Sequence, residues 1–322
     1  MVHDVQDRLC SARQHSMTDP AEAASSLKDN TVMRSHLLIL MVIAMPILSP
    51  QGAFPVDPSD RDVVYATVGD QQLRLDVYRP QSEGKRPVVI WIHGGAWRAG
   101  SKDRVPVTGL LNRGFAIASI DYRLSPVAEF PAQIHDIKAA IRFLRANAPT
   151  WGFDPDRFII AGSSAGGHLA ALVGVSNGVG ALEGSVGDNP RSSSNVQSVV
   201  SFYGASNLQT ILAQSTPHGL SVRVPALQLL LGGQPAEQPD LAKLASPVTH
   251  VDASDPPLLL VHGDQDPQMP INQAHELHGR YKQLGLPVEF EVIHGGAHGG
   301  KRFFDDNMLS RVAEYLKTGR FR

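Results

Sequence analysis

One stretch, RFIIAGSSAGGHLAALVG over 157–174, constrains this chain more than any other. It opens with four apolar residues after an arginine, passes through a knot of Gly and Ser, and continues as a run with helical character. A short continuous apolar run bounded by turn residues reads as a strand buried on both faces of a sheet. The knot must then turn that strand sharply into a helix. Gly162-Ser163-Ser164-Ala165-Gly166 fits the pattern G-x-S-x-G, with Ser164 at the central place and Ser163 at a variable one. Glycines two positions either side of Ser164 remove side chains that would clash in so tight a bend, and they leave its hydroxyl exposed at the strand's C-terminal end. The helix that follows directs its first amides and its dipole toward any negative charge formed there.

The rest of the chain repeats this strand-then-helix order. VVYATV and LRLDVYRP read as two strands joined at Gly69-Asp70, a hairpin. PVVIWIHGG and FAIASIDYR read as buried strands, as do VQSVVSFYG, PPLLLVHGD and VEFEVIHGG. Ile134, Ile137, Ile141 and Leu144 stand at helical spacing behind Pro131, and further helices are expected over 271–284 and 302–317. The segment 208–246 carries several Pro and Gly and is expected to lie over the sheet as an irregular excursion. These elements predict an α/β domain over 54–322: a mostly parallel, doubly wound sheet with an antiparallel N-terminal hairpin.

The first 53 residues do not read as part of that domain. Arg34 and the uncharged apolar stretch 37–48, followed by small, turn-prone residues to Ala53, have the grammar of an export signal over about 33–53. The apolar part is too short for the ~20 residues a bilayer core requires. The expectation is a secreted or periplasmic chain whose translation starts at Met33 and whose mature form begins near Phe54, without stable membrane insertion. The alternative is an N-terminal membrane anchor.

Composition narrows the chemistry. Net charge is −2 with no sustained run of Lys and Arg, which argues against a nucleic-acid partner. Cys10 is the single cysteine, leaving no Cys nucleophile, Cys-based zinc site or intramolecular disulfide in the folded part. No cofactor and no metal are expected. His294 and His298 are separated by a glycine-bearing segment that does not make a rigid helical ligand pair.

A serine hydroxyl needs a base to take its proton and an acid to orient that base. VHGDQDPQMP, after one buried strand, offers Asp264 and Asp266; VIHGGAHGG, after the last strand, offers His294 and His298. Both lie just beyond strand C-termini, where open α/β sheets place their ligands. HGGAW, from His93 to Trp97, supplies backbone amides unobstructed by side chains, and Ala165 supplies another. Such donors are worth roughly 3–4 kcal/mol each when they receive an oxyanion.

HGGAW, DYRLSP, GSSAGG, HGDQDPQMP and GAHGG, in this order, resemble the α/β-hydrolase fold. Within it they are similar to the carboxylesterase/lipase branch with an HGG oxyanion motif, including small esterases of acetylxylan and feruloyl type. The similarity covers about 63–316. It implies Ser164 as nucleophile, Asp266 rather than Asp264 as the acid, and His298 rather than His294 as the base. Gly95, Ala96 and Ala165 become the oxyanion amides. The branch's fuller motif is HGGG, and this chain has Ala96 in the last place, a change that keeps the N–H. The implied activity is hydrolysis of carboxylic esters with short or aromatic acyl groups, free or polysaccharide-linked, with activity falling below about pH 6 to 7 as the histidine protonates. Amide hydrolysis of arylformamidase or prolyl-peptidase type on the same residues is the alternative, and a non-catalytic hydrolase-fold binding protein is a third. His93 and His262 are expected to be structural, as are Asp121, Tyr122 and Arg123. Asp264 is expected to cap a loop, and Trp97 to line the pocket or pack beneath it.

Overall fold

The computed structural model describes residues 56–80 and 84–321; the expected leader over 33–53 lies outside them. Among the described residues one eight-stranded sheet organises the chain. Its strands are β1 (Asp60–Val68), β2 (Gln71–Tyr78), β3 (Arg86–Ile92), β4 (Ala116–Ile120), β5 (Phe153–Ser163), β6 (Ser198–Phe202), β7 (Leu258–Gly263) and β8 (Val288–Ile293), in the order β1-β2-β4-β3-β5-β6-β7-β8. β1 pairs with β2, and β2 with β4, antiparallel; every later pairing is parallel. The expected hairpin turns at Gly69-Asp70.

The inner strands are largely apolar because helices cover both faces. Every residue of β4, β6 and β7 is buried, whereas β1, at the edge, alternates unevenly with exposed positions. The helices are α1 (Ala132–Ala146), α2 (Ala148–Trp151), α3 (Ala165–Gly174), α4 (Gly180–Glu183), α5 (Ile211–Gln214), α6 (Pro217–Leu231), α7 (Pro239–Leu244), α8 (Asn272–Gln283) and α9 (Asp306–Thr318). Ile134, Ile137, Ile141 and Leu144 of α1 are all fully buried, as their spacing requires. α9 starts later than 302 because Asp305 caps it, its carboxylate accepting from the Met308 N–H at 2.9 Å; residues Lys301–Phe303 form a 3-10 turn instead.

The segment 208–246 is not the irregular excursion its Pro and Gly content suggested, since it contains α5, α6 and α7. Two of its prolines, Pro217 and Pro239, fall in the first turn of a helix, where the missing N–H would have no intrahelical partner anyway. Thr216 caps α6 by accepting from Gly219 N–H at 3.0 Å. Pro225 does sit inside α6, but on its exposed side, while Ala226, Leu227, Leu230 and Leu231 are buried. Water can satisfy the carbonyl that Pro225 leaves without a donor, so burial of the apolar face outweighs the local penalty.

No helix among the described residues is long and apolar enough to cross a membrane. The C-terminal ends of β3, β5, β7 and β8 open onto the loops that carry HGGAW, Ser164, Asp266 and His298.

Candidate active site

Ser164 sits at the hinge between β5 and α3 with φ 54° and ψ −118°, a left-handed conformation that costs a non-glycine residue of order 1–3 kcal/mol. The surroundings enforce it. Ser164 N–H donates to the Phe202 carbonyl at 2.9 Å, and its own carbonyl receives the His168 N–H at 3.0 Å. The flanking glycines are required by contact: a Cβ on Gly162 would overlap the Gly166 carbonyl, and one on Gly166 would overlap the Ile92 carbonyl. Strand β3, the elbow and α3 therefore pack backbone against backbone, and the serine is held where its side chain points into the open cleft.

His298 and Asp266 meet it there. His298 Nε2 lies 2.8 Å from Ser164 Oγ, and His298 Nδ1 lies 2.7 Å from Asp266 Oδ2. A carboxylate can only accept, so Nδ1 carries the proton in the neutral ring, and Nε2 is left to accept from the serine hydroxyl. Asp266 is itself fixed: Oδ1 accepts from the Gln268 and Met269 amides at 2.8 and 2.9 Å, and Oδ2 lies 3.4 Å from His262 Nε2. Burial by itself would raise the Asp266 pKa. The bonds from His262, His298 and Met269 outweigh it and hold the carboxyl well below its ordinary range, so it is ionised.

The other candidates fall elsewhere. Asp264 accepts from His294 Nδ1 at 2.9 Å and from Gly295 N–H at 2.7 Å, capping the loop after β8, and His294 is exposed. His93 is buried and stacks on Tyr122 with ring centroids 4.5 Å apart; its Nδ1 donates to the Gly94 carbonyl at 2.8 Å. Tyr122 Oη donates in turn to the His93 carbonyl at 3.1 Å. Burial lowers the His93 pKa and keeps the ring neutral. Asp121 accepts from Lys102 N–H, and Arg123 is paired with Asp136 at 2.7 Å.

Gly95 and Ala96 line the same cleft as Ser164, and Ala165 is buried directly behind it as the first residue of α3. The loop shares the elbow's positive φ: Gly95, Ala96 and Trp97 stand at 120°, 52° and 60°. Trp97 does not line the cleft but packs beneath it, fully buried. Its Nε1–H donates to His168 Nδ1 at 3.1 Å, and His168 Nε2–H donates to the Ala245 carbonyl at 2.7 Å. Burial brings the His168 pKa down to about 4, so this ring stays neutral and works as a fixed strut. It ties the HGGAW loop to α3 and to the end of α7.

Two contributors, Tyr203 and Arg223, were missed at the level of sequence, and a third, His262, was expected only to be structural. Tyr203, at the end of β6, sets its ring edge-on against His298 at 4.8 Å and restrains the imidazole. His262 touches Asp266 as well as the Met269 carbonyl, at 3.0 Å. Arg223 of α6 lines the cleft although almost wholly buried. Tyr203 stands at a strand end, a position that could have drawn notice; Arg223 carried no signal, because 208–246 could not be placed.

The cleft measures ≈ 670 Å³, within the range that accepts a small organic molecule. A hydroxyl bonded to a neutral imidazole, itself oriented by a buried carboxylate, can be deprotonated at neutral pH as it attacks an electrophile. Among the described residues no cluster of His, Cys, Asp and Glu could hold a metal ion.

Comparison with known proteins points the same way. The BD-FAE family matches residues 75–281. Esterase LipQ of Mycobacterium tuberculosis is 32% identical over 232 residues, covering 70% of this chain and 53% of its own length. The chain thus spans about half the length of the curated relatives it matches. Among solved structures, a truncated form of a carbohydrate esterase from gut microbiota superposes with a TM-score of 0.73 at 34% identity, covering 80% of this chain and 94% of that one. A thermophilic esterase of Thermogutta terrifontis, solved with propionate bound, superposes at 0.68 with 26% identity over 82% of this chain and 96% of its own.

Proposed function

This chain belongs to the BD-FAE family and has the α/β-hydrolase fold; from that premise we propose that it hydrolyses carboxylic esters through Ser164, His298 and Asp266. The observation that carries the reading is the continuous relay of 2.8 Å and 2.7 Å contacts from serine through histidine to a buried aspartate. Ser164 Oγ attacks the ester carbonyl as its proton passes to His298 Nε2. Asp266 keeps Nδ1 protonated and stabilises the imidazolium that forms. The tetrahedral oxyanion is received by the backbone amides of Gly95, Ala96 and Ala165, at the N-terminus of α3. The carbonyl re-forms, the C–O bond to the alcohol breaks, and His298 gives the alcohol its proton. Water then repeats the sequence on the acyl-enzyme, releasing the acid and restoring the serine.

Short acyl groups fit this reading best. The cleft is modest in volume, and the Thermogutta esterase that shares the fold was captured with propionate and with butyrate. The gut carbohydrate esterase extends the expected alcohols to sugars. The test is a panel of p-nitrophenyl acetate and butyrate, N-formylkynurenine and small peptides on the described domain, with a fluorophosphonate probe. Turnover of the acyl esters together with labelling lost in Ser164→Ala is expected. Faster cleavage of the amide substrates, or labelling that survives in Ser164→Ala, would overturn the assignment.

A further inference from the structure

Resting on that ester-hydrolase reading, we propose that the substrate carries a carboxylate besides its ester, and that Arg223 is the residue that selects it. Arg223 is only 1% exposed, yet it lines the cleft that also holds Ser164 and His298. Its Nε and Nη1 are buried and have no hydrogen-bond partner among the described residues. A buried charge left in this state is costly, so native interiors normally pair it. Asp266 attracts Arg223 electrostatically, but its oxygens already serve His298, His262 and two backbone amides. The remaining contact is the Trp97 ring, whose centroid lies 5.8 Å from the guanidinium carbon, near the outer limit of a cation–π interaction. Burial lowers the Arg223 pKa to about 10, with Arg98 adding repulsion, and the group is still charged at neutral pH.

The rest of the cleft agrees in sign. Arg98 and Arg104 also line it, and among the described residues no aspartate or glutamate does. Neither arginine has an acidic side chain within ion-pair distance among the described residues. A neutral ester would leave the buried Arg223 unpaired, in a cleft to which the half-buried Arg98 and the exposed Arg104 add further positive charge. A substrate carboxylate in the cleft beside Arg223 supplies the opposite charge that the cleft lacks and offsets the repulsion from Arg98. Arginine suits the task because its charge survives burial where a lysine would tend to lose its proton. The half-ester of a dicarboxylic acid places that carboxylate on the acyl side; an ester of a hydroxy acid or a sugar acid places it on the alcohol side.

Two matched pairs of substrates test this and separate the two sides. Mono-p-nitrophenyl glutarate against p-nitrophenyl pentanoate probes the acyl side, and 4-acetoxybenzoate against 4-acetoxybenzamide the alcohol side. The wild-type enzyme is expected to favour the anionic member of at least one pair by about 10-fold or more in kcat/KM, with the preference weakening as salt rises. In Arg223→Met the anionic-to-neutral ratio for that pair should fall about 10- to 100-fold, and Arg223→Lys should restore part of it. Arg223→Met should also melt no lower than wild type, because an unpaired buried charge is removed. Equal or neutral-favouring turnover on both sides of the wild type would overturn the proposal, as would a ratio unmoved in a folded Arg223→Met protein. Should that variant fail to fold, Arg98→Gln and the wild-type ratios decide: a lower ratio supports the anion site and an unchanged one counts against it. If no ester at all is turned over, the hydrolase reading fails by itself. Calorimetric titration of glutarate into the Ser164→Ala protein then decides the anion site: millimolar or tighter binding lost on adding Arg223→Met supports it, and no binding overturns it.

Discussion

The loops after β7 and β8 each carry two candidate groups, and the structure pairs them off in parallel: Asp264 with His294, Asp266 with His298. In each pair an aspartate oxygen meets a histidine Nδ1, at 2.9 Å in the first and 2.7 Å in the second. The surroundings differ. The side chains of Asp264 and His294 are 29% and 84% exposed, those of Asp266 and His298 0% and 11%. His298 has a serine hydroxyl at its far nitrogen, and an aromatic edge holds its ring; among the described residues the His294 ring hydrogen-bonds to Asp264 alone. A short Asp–His contact is therefore no sign of catalysis. Water competes with the outer pair and screens it, while burial turns the inner pair into an oriented base.

The comparison is broken most directly at the imidazoles. His298→Ala is expected to lower kcat/KM on p-nitrophenyl acetate by about 10⁵–10⁶-fold, as loss of a triad base does. His294→Ala should leave it within about threefold, since its ring is solvated and touches no group of the cleft. Steady-state kinetics on the two folded variants decide the matter, and comparable losses would erase the distinction. The acids come next. Asp266→Asn keeps the shape but lets the wrong ring nitrogen carry the proton, and it should cost about 10⁴-fold. Asp264→Asn should cost less than threefold.

How much of this could be read from the chain follows from the same contrast. The strand–elbow–helix unit was legible because Gly162, Ser164 and Gly166 encode a local steric requirement, and local requirements survive in sequence. The sheet was legible because buried parallel strands are written as continuous apolar runs. The choice between the paired aspartates and histidines was not legible from residue type or spacing. Both pairs occupy equivalent strand-end loops, and only burial and long-range contact separate them. The same holds for Tyr203 and Arg223. Each meets a partner distant along the chain, which residue type and spacing do not reveal. In 208–246 local signals misled, because proline at a helix start looks the same in sequence as proline in a loop.

Stability against pH sharpens the contrast further. Burial pushes the Asp266 pKa up, and the bonds from His262, His298 and the Met269 amide bring it down beyond its ordinary value of 3.8. A carboxylate depressed in the folded state adds stability that is complete above the unfolded value and is lost as pH falls through the folded one. The melting temperature of wild type should therefore exceed that of Asp266→Asn at pH 6 to 7, and the gap should shrink steadily from about pH 4 toward pH 2. A gap that stays constant over this range would mean that Asp266 is not held ionised by its neighbours.

Asp264 gives the smallest effect, and the one that most directly tests what exposure does. The bond from His294 comes first among the causes that lower its pKa, with the Gly295 amide helping, so the sign of its linkage matches that of Asp266. Its carboxylate, though, is wetted by solvent, and the partner ring is almost free in water. Salt near 1 M shortens the screening length to about 3 Å and weakens such a pair, whereas the buried one is shielded from it. Asp264→Asn should therefore shift the melting temperature by no more than about 2 °C at neutral pH and low salt, with the difference fading in 1 M NaCl. Under the same salt the gap between wild type and Asp266→Asn should persist, so calorimetric scans of the three proteins at two salt concentrations compare the pairs in one experiment. Equal salt sensitivity would mean that burial does not set these two aspartates apart.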